Sequence, residues 1–66
     1  MEISFNGETR QLETAASIAT LLAGEGLAGR RVAVEVNGEI VPRGRHATHA
    51  LREGDRVEVV HALGGG

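Results

Sequence analysis

The chain has no cysteine, lysine, tryptophan or tyrosine, and only one phenylalanine, one methionine and one proline. Without Cys there is no disulfide, no thiolate metal site and no thiol nucleophile, a composition suited to a reducing compartment, so the cytoplasm is the expected location. A single aromatic ring, Phe5, gives bases nothing to stack on, and a formal net charge of -2 works against a phosphate backbone, so nucleic acid is not an expected partner. No apolar run approaches the roughly 20 residues of a membrane span. Met1 to Phe5 shows neither the basic nor the apolar region of a leader. All positive side chains are arginines: Arg10, Arg30, Arg31, Arg43, Arg45, Arg52 and Arg56. They stay protonated and are poor nucleophiles, although a coding preference for arginine accounts for the same composition. At 66 residues the chain is one small domain near the lower limit for a self-sufficient core. A carrier, adaptor or binding module fits that size better than an enzyme with its own deep pocket. No catalytic residue is expected: Ser4, Thr9, Thr14, Ser17, Thr20 and Thr48 have no His or Asp grouped around them as an activated nucleophile requires.

What is present alternates. Ile3 and Phe5 alternate with Glu2, Ser4 and Asn6, and Asn6-Gly7 predicts a two-residue hairpin turn into a second strand at Thr9 to Leu12. Ser17 precedes Ile18, Leu21 and Leu22, whose spacing puts them on one helical face with Ser17 as N-cap; Gly24 and Gly26 close the helix, and Leu27 is expected to tuck against the core. Val32, Val34 and Val36 form one face of a half-buried strand. Asn37-Gly38 is a second hairpin turn, leading to a short strand at Ile40 and Val41 that Pro42 ends, because proline cannot donate to a ladder. The stretch from His46 to Leu51 is a polar connection with room for one helical turn. Glu53-Gly54-Asp55 turns into a last strand, Arg56 to His61, with Val57 and Val59 facing inward. Two hairpins around one crossover helix, with the last strand returning to the middle of the sheet, make an α+β, β-grasp (ubiquitin-like) fold: a mixed sheet of four to five strands, one face covered by the helix. Val60, Ala62 and Leu63 then lie on or near the open face as candidate partner contacts.

The chain finishes on Gly64, Gly65 and Gly66. Residues without a Cβ can lie flat in a narrow channel of another protein, so these glycines point to a tail whose end is worked on elsewhere. The expected organisation is a domain over residues 1–63 and a flexible glycine tail over residues 64–66.

The first strand Met1-Glu2-Ile3-Ser4-Phe5-Asn6-Gly7, the central Val36-Asn37-Gly38-Glu39-Ile40-Val41-Pro42-Arg43, the Glu53-Gly54-Asp55 turn and the glycine end resemble the ThiS family, the ubiquitin-like sulfur carriers of thiamine biosynthesis, over essentially the whole chain. A terminal Gly-Gly alone is shared with ubiquitin and with the small subunit of molybdopterin synthase, and the central octet points to the thiamine branch. The resemblance implies a carrier that binds no cofactor or metal itself, and a monomer when free is the default. An E1-like adenylating enzyme would use ATP and magnesium to activate Gly66. A cysteine-derived sulfur donor would convert it to a thiocarboxylate, and thiazole synthase would consume the sulfur. Gly64 and Gly65 would thread into the partner. A molybdopterin-type carrier and a ubiquitin-like modifier or interaction module are the alternatives. The remaining candidates read as surface features. His46 and His49 are three apart but lack a third ligand, so they read as plain surface histidines, and His61 as a solvated strand-end residue. Arg43 and Arg45 form a small basic spot, and Glu35, Glu58 and Arg56 are cross-strand surface charges.

Overall fold

The computed structural model describes residues 1–61. The strands are β1 (Glu2–Phe5), β2 (Glu8–Gln11), β3 (Val32–Val36), β4 (Glu39–Val41) and β5 (Arg56–His61), with one helix, α1 (Ile18–Gly24), between β2 and β3. They form one sheet in the order β2-β1-β5-β3-β4. Strand β5 pairs in parallel with β1 and antiparallel with β3, so the last strand lies in the centre, as its sequence position in a β-grasp fold predicts.

Local chemistry explains each junction. Asn6 and Gly7 adopt φ of 50° and 84°, and Asn37 and Gly38 φ of 52° and 87°, the left-handed pair that a two-residue hairpin needs and that Asn-Gly accepts at low cost. The Ser17 hydroxyl caps α1 by accepting from the Thr20 N–H at 3.1 Å. At the other end Gly26, at φ 77°, lets the Leu27 N–H return to the Leu22 carbonyl at 2.7 Å, while its own N–H bonds Ala23. This double closure carries Leu27 back onto the core edge beside Val32. Two boundaries differ from the sequence expectation. Strand β2 starts and ends one residue earlier than Thr9 to Leu12, because the Asn6-Gly7 turn leaves Glu8 opposite Phe5. The helical turn falls at Arg43–Arg45, ahead of the 46–51 stretch, because Pro42, with φ fixed near -58°, starts it as soon as β4 ends.

The core lies between α1 and one sheet face: Ile3 and Phe5, Ile18, Leu21 and Leu22, Val34 and Val36, Val41, Leu51, and Val57 and Val59. Every strand residue in it obeys the two-residue alternation, so the opposite sheet face is left uncovered. The sheet edges do not invite extension: β2 is polar throughout and β4 has only three residues before Pro42. Arg10 ties β2 to the end of α1, donating to Glu25 at 2.8 Å and to Glu8 at 3.0 Å, while its guanidinium sits 5.7 Å from the Phe5 ring centroid. The bond to Glu25, then that to Glu8, raises its pKa, so it stays charged at any working pH.

Candidate functional site

Strand β5 leads into the glycine end and is held from both sides. Ser4 N–H donates to the Asp55 carbonyl and Asn6 N–H to the Val57 carbonyl, each at 2.9 Å, two residues apart along the parallel ladder. The chain then turns away at Asn6-Gly7, but its side chain continues the pairing. Val59 N–H donates to Asn6 Oδ1 at 2.7 Å, and Asn6 Nδ2 donates to the Val59 carbonyl at 3.1 Å. On the other flank Arg56 N–H donates to Asn37 Oδ1 at 2.9 Å, and Asn37 Nδ2 donates to Asp55 Oδ1 at 2.9 Å. The asparagines of both hairpin turns thus grip the one strand that carries the chain toward its end. With Val57 fully buried beneath it, β5 has a fixed position and direction up to His61, which pairs with Val32.

The uncovered face presents the surface beside that exit. Val60, expected there, is 64% exposed and lies opposite the half-buried Ala33. Ile40 joins it at 70% exposure, on the same face through its pairing with Glu35. The sequence places Ile40 in a short strand without a face, and the burial of Val41 beside it fixes that face in the fold. Glu35 and Glu58 are exposed and directly opposite each other, cross-strand surface charges as expected and of like sign. Ala62, Leu63, Gly64, Gly65 and Gly66 lie outside the described residues.

Two of the histidines depart from the expectation, while His61 is exposed at the strand end as expected. His46 is buried, at 7% exposure, and its Nε2 is 3.0 Å from the Val41 carbonyl. Its backbone carbonyl accepts from Ala19 N–H in the first turn of α1. A surface reading failed because the Arg43–Arg45 turn folds the chain back under the helix. His49 is half-buried and His61 exposed, and among the described residues no group of three or more His, Cys, Asp or Glu could hold a metal. Arg43 and Arg45 are both exposed. No helix of the described residues is long and apolar enough to cross a membrane.

This arrangement matches known proteins. The ThiS family model matches residues 3–66. The chain belongs to the ThiS family. A crystal structure of the thiamine biosynthesis protein ThiS from Geobacter metallireducens superposes with a TM-score of 0.81 at 30% identity, each chain covered in full. A solution structure of a thiamine biosynthesis protein from the same organism gives 0.74 at 30% identity, covering all of this chain and 88% of that one. The β-grasp expectation is therefore met. Two sequence relatives, from Magnetococcus marinus and Paramagnetospirillum magneticum, are 44% and 41% identical over 66 residues, and both are named thiazole synthase. This chain spans only 20% of the length of each. In those proteins a ThiS-like segment is joined to a much longer stretch of other sequence.

Proposed function

We propose that this ThiS-family domain is a sulfur carrier that works through its terminal glycine and serves thiazole formation in thiamine biosynthesis. The observation that carries the reading is the match to the ThiS family along residues 3–66, a range that includes the glycine end. The gripped strand β5 supports it, because a carrier must present its end from a fixed base to successive partners.

A carboxylate is a poor acyl donor, since oxide would have to leave. Attack of the Gly66 carboxylate on ATP in an E1-like enzyme, with magnesium, gives a glycyl adenylate and pyrophosphate. A persulfide on a partner displaces AMP to form an acyl disulfide. A thiol then attacks that S–S bond, leaving the thiocarboxylate and forming a disulfide. The thiocarboxylate sulfur, softer and more nucleophilic than oxygen, passes to thiazole synthase. The domain supplies no acid, base or metal. It contributes position, with Gly64 and Gly65 giving reach free of side chains. The two relatives named thiazole synthase, in which a ThiS-like segment shares a chain with other sequence, favour that enzyme as partner over a molybdopterin synthase subunit. In this reading Val60 and Ile40, with Ala62 and Leu63, form the apolar part of the docking surface.

Reconstituted thiazole formation with thiazole synthase, an activating enzyme and a sulfur source tests the reading. The full chain supports turnover, while deletion of Gly66 abolishes it. Val60→Asp lowers the partner's affinity without changing thermal stability. Turnover that persists without Gly66 would overturn the carrier reading.

A further inference from the structure

Besides the open sheet face, the molecule has a small cleft on its helical side. It measures about 250 Å³ and is lined by Ala19 and Leu22 of α1, Leu27 and Arg30 of the following loop, and Arg43 and His46. Its polar groups are unusual. A carbonyl can only accept, so the contact with Val41 requires the His46 proton on Nε2, leaving Nδ1 with a free lone pair in the neutral ring. No buried side-chain nitrogen or oxygen lacks a partner among the described residues, and His46 itself is buried and lines the cleft. Arg30 and Arg43 line the same cleft and make no ion pair or side-chain hydrogen bond among the described residues. The wider groove beside β4 has no comparable feature, since its ionisable lining residues are all exposed or half-buried.

We propose that this cleft binds a small aliphatic carboxylate. Two uncommitted guanidinium groups at one opening favour an anion, and their planar forks match a carboxylate. The apolar walls of Ala19, Leu22 and Leu27 favour a branched aliphatic body over water. The volume admits one small molecule and not a folded partner. The cleft lies across the sheet from Val60 and Ile40, so its occupant and a protein docked on the open face do not compete for space. The inference stands independently of the sulfur-carrier reading.

The test is a titration of the full chain, followed by amide NMR shifts, with 4-methylpentanoate, 4-methylpentanamide and inorganic phosphate. The carboxylate is expected to move the Ala28, Gly29 and Ala47 amides saturably, while neither the neutral amide nor phosphate does. An Arg30→Gln/Arg43→Gln variant, altered only at exposed positions and therefore still folded by its dispersed spectrum, binds about fivefold more weakly or worse. Equal binding of the amide or of phosphate, unchanged affinity in the double variant, or no saturable shift overturns the proposal.

Discussion

Asn6 offers the sharpest test of how β5 is held. Its side chain makes two hydrogen bonds to Val59, and its backbone sits at φ 50° in the hairpin turn. Asn6→Gly keeps the backbone geometry and removes both bonds, each worth about 1 kcal/mol net, so the expected loss is about 2 kcal/mol. Asn6→Ala removes the same bonds and keeps a Cβ in the left-handed region without asparagine's tolerance of it, so it should be less stable than Asn6→Gly by about 1–2 kcal/mol. Asn6→Asp keeps an acceptor for Val59 N–H but sets a carboxylate oxygen against the Val59 carbonyl, costing about 1–2 kcal/mol. A domain of this length has roughly 3–10 kcal/mol of stability in all, so these differences are large. Urea unfolding followed by circular dichroism measures them, and amide hydrogen exchange locates them. In Asn6→Gly the Val59 amide should lose more protection than Val57, which keeps its backbone partners. An Asn6→Gly domain within about 0.5 kcal/mol of the parent, or Asn6→Ala no weaker than Asn6→Gly, would refute the argument, because the side-chain bonds or the backbone strain would then be absent.

Three further outcomes follow from the packing and the tail. Ala15 adopts φ 64°, so Ala15→Gly relieves about 1–2 kcal/mol of strain against about 0.5–1 kcal/mol of added chain entropy. The net gain of up to about 1.5 kcal/mol, centred on about 0.75 kcal/mol, should raise Tm by about 3–6 °C in a scanning calorimeter. Leu21→Ala, at a site only 1% exposed, removes about 2–5 kcal/mol and leaves a measurable unfolded population in the amide NMR spectrum at 37 °C. Gly65→Val, on the proposed function, abolishes sulfur transfer by blocking entry into the partner's channel while the urea midpoint stays where it was.

The strand and helix pattern was readable because each element obeys one periodicity. Valines at 32, 34 and 36 and at 57 and 59 can face a common core only as strands, and the limits of β3 and β5 followed directly. The Asn-Gly turns and the Ser17 cap announced themselves by residue type. Side-chain roles that depend on tertiary placement were not readable. Nothing local in Asn6 or Asn37 says that, besides making turns, they clasp a strand far along the chain. His46 looked like surface because its neighbours are polar, and only the fold of the Arg43–Arg45 turn puts its ring beneath α1. In the three-residue β4 nothing local says which of Ile40 and Val41 faces inward, and the fold settles it by burying Val41. The chemical identity of the site was carried by the glycine end and the central octet, whose meaning comes from family resemblance and not from periodicity.

The central claim is that Gly66 carries sulfur, and intact mass spectrometry tests it most directly. The chain is incubated with ATP, magnesium, an E1-like activating enzyme, a cysteine desulfurase and cysteine, beside a known carrier as control. Exchange of oxygen for sulfur should add about 16 mass units, at a terminus that side-chain-free glycine leaves open to the activating enzyme, and the gain should vanish on deletion of Gly66. An unchanged mass while the control carrier gains sulfur would contradict the account.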